Sequence, residues 1–124
     1  MDPFGAALEA RDVNAAVALL SEDVVFRSPV VFKPYHGRDA VAAILHAVSR
    51  VFEDFRYVRE IGAPDGSDQA LVFQARVGER QIEGCDFLHL DEDRSIDELA
   101  VMVRPLSGTM ALADAMKAQL AAAP

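Results

Sequence analysis

Between Arg80 and Asp91 the chain alternates as a β-strand does, with Ile82, Gly84, Asp86, Leu88 and Leu90 all on one face, because strand side chains repeat every second residue. Asp86 is the one acid on that otherwise oily face. A carboxylate there must find a partner, stay protonated or serve chemistry, since burying an unpaired charge costs on the order of several kcal/mol. Asp86 is therefore where a search for function begins.

The segments around it have their own periods. Phe4–Leu20 carries Phe4, Leu8, Val13, Val17 and Leu20 at roughly helical spacing, and Asp12 interrupts it as an N-cap for a second helical piece. Val24–Ser28 reads as a short strand closed by Pro29. Asp39–Phe52 is the next helix, entered through His36-Gly37-Arg38-Asp39. Beyond it Phe55–Ile61, Gln69–Val77, Arg80–Leu90 and Ile96–Arg104 are strand-like, and Leu106–Ala123 returns to a helical pattern with Ser107 as its N-cap.

The hairpins fix a register. Gly78-Glu79 suits a two-residue type II′ turn, pairing Val77 with Arg80 and hence Phe73 with Gly84 and Leu71 with Asp86. If Asp93-Arg94 is the tip of the next turn, Asp86 faces Val101 and Leu88 faces Leu99. Asp86 then lies among aliphatic neighbours on a face that the helices must cover, giving an α+β architecture of helices on one side of a curved antiparallel sheet.

Bulk properties narrow the function classes. A chain of 124 residues, 52% hydrophobic and 26% charged, suits one globular domain spanning 1–124. No apolar run is long enough to cross a bilayer, and Met1-Asp2-Pro3-Phe4 lacks a signal peptide's positive region and apolar core. A lone cysteine, Cys85, fits a reducing cytoplasm. A net charge of −8 with no local run of Lys or Arg argues against nucleic acid.

Three stretches in this order, Leu8-Glu9-Ala10-Arg11-Asp12-Val13, Leu19-Leu20-Ser21-Glu22-Asp23-Val24-Val25-Phe26 and Tyr35-His36-Gly37-Arg38-Asp39-Ala40-Val41, resemble the nuclear transport factor 2-like superfamily. The resemblance runs over nearly the whole chain and is strongest to the ketosteroid isomerase-like and SnoaL-like branches. It implies a cystatin-like cone, in which helices and a strongly curved sheet enclose an apolar pocket, commonly in dimers. Carried over from the ketosteroid isomerases, the carboxylate base at the end of the first strand falls on Ser28, and the phenol of the first helix falls on Phe4. The late-strand aspartic acid falls on Asp86. A serine hydroxyl is a poor general base near neutral pH, so the steroid-isomerising mechanism is not expected here.

Each candidate carries two readings. Asp86 is either a pocket acid with its pKa raised by desolvation, or a structural acid satisfied by a tyrosine, a histidine or the backbone. Tyr35 and His36 are either a donor and a base near the cone's mouth or ordinary turn residues. Together with Asp86 they form the candidate catalytic set. Phe26, Ser28, Leu71, Phe73, Leu88, Leu99 and Val101 are the candidate ligand-binding residues. A Ser28–His36–Asp86 triad lacks a nucleophile elbow, and His36, His46 and His89 are too scattered for a metal. The expected function is binding of a small, largely apolar molecule, with isomerase- or cyclase-like acid–base chemistry at Asp86, or else a non-catalytic binding or dimerisation module. No cofactor is called for. The opposite sheet face, with Val72, Phe87 and Met102, is too apolar for full solvation and predicts a homodimer, with His89 and Arg104 at its rim.

Overall fold

The computed structural model describes residues 2–122. Its elements are α1 (Pro3–Glu9), α2 (Val13–Ala18), β1 (Leu20–Arg27), β2 (Tyr35–His36) and α3 (Arg38–Val51). They are followed by β3 (Glu53–Ile61), β4 (Asp68–Val77), β5 (Arg80–Leu90), β6 (Ile96–Arg104) and α4 (Leu106–Ala122). The strands form one sheet in the order β2-β1-β6-β5-β4-β3, antiparallel except where β1 and β6 run parallel. This is the α+β architecture expected.

Local chemistry explains the helix starts. Asp2 caps α1 through Oδ1, which accepts the Phe4 and Gly5 amides at 2.9 and 3.3 Å, and Pro3 occupies the first turn where no amide donor is missed. Asp12 caps α2 as expected, accepting the Ala15 amide at 3.1 Å. Ser107, however, is not a cap. Helix α4 already begins at Leu106, and the Pro105 carbonyl accepts the Thr109 amide at 3.0 Å, so the chain enters the helix directly from proline. Ala123, the last residue of the expected helix, lies outside the described residues.

Both hairpin registers hold around Asp86. Val77 pairs with Arg80, Leu71 with Asp86, Asp86 with Val101 and Leu88 with Leu99. Gly78 has φ 58°, as the first position of a type II′ turn demands. The second turn differs from expectation. Its tip is the three residues 92–94 rather than Asp93-Arg94, because the Asp91 amide bonds the Ser95 carbonyl and Leu90 pairs with Ile96. Arg94 takes the left-handed position (φ 64°) and is held there by donating to the carbonyls of Pro64, Asp65 and Gly66. A shift after Leu90–Ile96 then restores the counted register.

The helices cover one sheet face and leave the other open. Phe4, Val41, Leu71 and Leu99 are among the fully buried side chains between the layers. Gly84 has a packing reason: a Cβ there would collide with the Phe73 ring, so only glycine lets that ring lie across β5. Phe73 in turn contacts Phe52, Phe55 and Tyr57 at centroid distances of 5.5, 5.1 and 6.2 Å. This aromatic group fixes the wall of the site.

Candidate functional site

Asp86 is 6% exposed, one of two buried polar side chains among the described residues. Its neighbours across the sheet are Leu71 and Val101. The Tyr57 hydroxyl, from β3, reaches past β4 and donates to Asp86 Oδ2 at 2.6 Å. It is the one donor on this carboxyl among the described residues. No buried side-chain oxygen or nitrogen there lacks a partner, so the second carboxyl oxygen keeps access to the cavity that Asp86 lines.

That cavity measures about 380 Å³. Its walls come from α1 (Phe4, Leu8), β1 (Phe26), α3 (Ile44, Leu45, Val48), the aromatic group (Phe52, Phe55, Phe73) and α4 (Leu112, Met116, Leu120). Apolar walls with one convergent acid are the usual make-up of a small-molecule site. Helix α4 closes one side of it.

Two opposing causes set the acid's charge. Burial raises the Asp86 pKa, the Tyr57 hydrogen bond pulls it back, and burial wins, leaving it at about 7. Tyr57 is pushed upward by its own burial first and by the neighbouring Asp86 charge second, so its hydroxyl remains a donor throughout the neutral range. Because Tyr57 occupies Oδ2, the acid's proton belongs on Oδ1, the oxygen open to the cavity. The pair can therefore present a hydrogen-bond donor to a ligand oxygen. Edge contact between Tyr57 and Phe55, at a centroid distance of 5.0 Å, holds the phenol in line.

The candidate residues divide. Phe26, Ser28, Phe73, Leu99, Val101 and Tyr35 line the cavity with Asp86, and the Tyr35 ring lies 6.2 Å from Phe26. Leu71 and Leu88 do not. They are 1% and 2% exposed, packed into the core beneath the helices, and Leu71 lies against the α1 backbone at Gly5. They share the face of Asp86 but not its cavity: Leu71 packs against α1, and Leu88 lines a separate pocket with Phe4, Leu19 and Ile96. His36 is also misplaced as a site residue. It alternates away from Tyr35 in β2, is exposed and is no part of the lining, so no Ser28–His36–Asp86 triad forms.

Ser28 lines the cavity but is committed elsewhere. Its hydroxyl accepts the amides of Val30 and Val31 at 3.1 and 3.4 Å and so shapes the loop after β1. Phe4 is buried and apolar. Tyr57 was not singled out from sequence. Its alternation with Phe55 was the available signal, but register shifts on both sides of it in β3 prevent counting it to Asp86. Glu9, Arg11 and Lys117, all exposed, also line the opening and give no periodic signal.

Comparison with known proteins agrees with this architecture. A steroid delta-isomerase from Pseudomonas aeruginosa superposes with TM-score 0.88 at 45% identity, covering 94% of this chain and 85% of that one. An uncharacterised protein with a cystatin-like fold from Silicibacter pomeroyi gives TM-score 0.91 at 40% identity, over 97% of this chain and 84% of that one. A putative polyketide cyclase from Pseudomonas putida, at 20% identity and TM-score 0.69, covers 86% of this chain and 89% of its own and shares the fold. No curated protein matches. Residues 3–99 match the family of SnoaL-like domains, and the chain belongs to that family.

Proposed function

We propose that this protein binds a small, largely apolar molecule through one acceptor oxygen, with the protonated Asp86 carboxyl as donor and Tyr57 holding it in place. The observation that carries this reading is a single desolvated acid on the wall of an apolar cavity, bonded to one phenol on one oxygen only. A carbonyl is the natural occupant, because its oxygen accepts and cannot donate. The enzymatic form of the reading is proton transfer of the isomerase or cyclase kind, in which the acid polarises a carbonyl and stabilises an enolate. One observation favours the non-catalytic form: Ser28, the position onto which the resemblance to the ketosteroid isomerases carries the base, has its hydroxyl engaged with the loop backbone.

The test is calorimetric titration with 2-acetylnaphthalene and with 2-ethylnaphthalene, which lacks the carbonyl. The ketone should bind more tightly at pH 5, and its advantage should fade as pH passes about 7, the pKa of Asp86. In Asp86→Asn, whose amide donates at every pH, the advantage should no longer depend on pH. An equal preference at pH 5 and pH 9 in the wild type would contradict the reading. For the catalytic form, a β,γ-unsaturated steroid ketone followed by ultraviolet absorbance should show weak or no conversion, and robust turnover would mean that another group serves as base.

The same proposal extends to assembly as a homodimer through the open sheet face. Phe87 and Met102 are 42% and 64% exposed there. The charged residues around them pair within the chain, as Arg27–Glu98, Arg104–Glu83 and His89–Asp97. A neutral apolar face suits self-association of a chain with net charge −8, which would otherwise repel its copy.

A further inference from the structure

A ligand anchored at Asp86 must extend toward the opening, and the opening is charged against the trend of the chain. Acids outnumber bases by 20 to 12 overall. At the cavity, apart from Asp86, the charged lining residues are Arg11, Lys117 and Glu9, so cations lead. All three are exposed and Asp86 is buried, which puts them at the rim and the acid at depth.

Their bonding makes the cations available and holds Glu9 back. Glu9 Oε2 accepts the Tyr57 backbone amide at 2.9 Å. Arg11 adopts φ 61° at the α1–α2 junction, a conformation uncommon outside glycine. It sends Nη1 to the Ser49 carbonyl at 2.9 Å and Nη2 to the Phe52 carbonyl at 3.2 Å. Those bonds fix the guanidinium beside the cavity and leave donors of the fork unspent, and no carboxylate among the described residues forms an ion pair with it. Lys117, on α4, makes no ion pair or hydrogen bond among the described residues, and it too lines the opening. Between rim and acid the wall is apolar: Phe26, Ile44, Phe73, Leu112 and Met116.

We infer that the natural ligand is an amphipathic anion, with an acceptor oxygen at Asp86, an apolar body along the cavity and a carboxylate at the rim held by Arg11 and Lys117. This rests on the proposed role of Asp86 and adds the chemistry of the ligand's other end. The general field of the chain repels an anion, but it is screened beyond roughly 8 Å at physiological salt, so the local cations govern the encounter. Lys117 is then the specificity-determining residue that selects a keto acid over a neutral ketone.

Titration with 6-acetyl-2-naphthoic acid beside 2-acetylnaphthalene, at pH 6, separates the two claims. The acid should bind roughly three- to tenfold more tightly at physiological salt, in keeping with charge-assisted bonds at a partly exposed rim, and the gain should shrink as salt is raised toward about 1 M. Lys117→Met should lower the ratio of the two affinities to the share that Arg11 supplies, and an unchanged ratio would overturn the role given to Lys117. Binding of the neutral ketone as tightly as the acid would overturn this inference and leave the Asp86 reading standing. Binding of neither would overturn both.

Discussion

The two faces of β5 hold a hydrogen-bonded titratable pair each, and the pairs work in opposite ways. Inside, Asp86 and Tyr57 meet at 2.6 Å with the carboxyl shut away from water. Outside, His89 Nδ1 and Asp97 Oδ1 meet at the same 2.6 Å in solvent. Both Asp86 and His89 have raised pKa values, but burial raises Asp86, whereas the Asp97 hydrogen bond raises His89. Burial penalises the charged form inside; the partner favours it outside. Equal distances therefore say little about a pair until its solvation is known.

The largest expected effect separates the faces by pH. An Asp folded at about 7 rather than near its unfolded value loses its ease of ionisation on folding. Its favourable contribution is complete below pH ~3.9 and disappears as pH rises through about 7, a change on the order of 4 kcal/mol by linkage. Asp86→Asn should remove that slope, making the variant as stable as wild type or more so above pH 7 in urea titrations. A variant that loses several kcal/mol at pH 8 would mark Asp86 as a charged structural acid.

Tyr57→Phe comes next. It strips the carboxyl of its one donor, so the Asp86 pKa should climb further and stability at pH 8 should fall by about 2–3 kcal/mol, with a smaller loss at pH 5 where the acid is protonated. Equal losses at the two values would mean that Tyr57 acts by packing alone. Gly84→Ala should follow at about 1–3 kcal/mol, because the Phe73 ring must move to admit a methyl group. Near-ultraviolet circular dichroism should register the displaced aromatic group.

Much of the inner face was legible in advance because its information is local. Strand alternation put Asp86 among apolar residues, and a two-residue turn at Gly78-Glu79 carried the count to Leu71 and Phe73. The second register holds although the turn has three residues at its tip, since the shift after Leu90–Ile96 cancels the extra loop residue. Alternation did not reveal how far α1 covers the face, so Leu71 and Leu88 read as lining when they are core. Tyr57 stayed hidden because it sits two strands from Asp86 across an irregular pairing. The rim residues Glu9, Arg11 and Lys117 belong to helix ends and faces, where no period announces a cavity.

The outer face should respond in assembly rather than in pH. Phe87→Glu or Met102→Glu should turn dimers into monomers in analytical ultracentrifugation, with little change in the intrinsic stability of these exposed sites. A wild-type chain that sediments as a monomer at high micromolar concentration would contradict the proposed dimer. The smallest effect belongs to His89→Ala. Raised by Asp97, His89 stabilises the fold when protonated, below its unfolded pKa, and that help fades as pH rises through the folded one. In so exposed a pair the change should be slight and should shrink further in salt.

The ionisation of Asp86 itself is the direct test of the account. Carbon-13 NMR of the aspartate side-chain carboxyls, with the Asp86 signal assigned by its loss in Asp86→Asn, follows it through a pH titration. The account predicts a midpoint at about 7, well above the ordinary aspartate range, moving higher still in Tyr57→Phe. A midpoint at or below ~4 would show a carboxylate charged at neutral pH and unable to donate to a ligand oxygen, and would contradict the account at its centre.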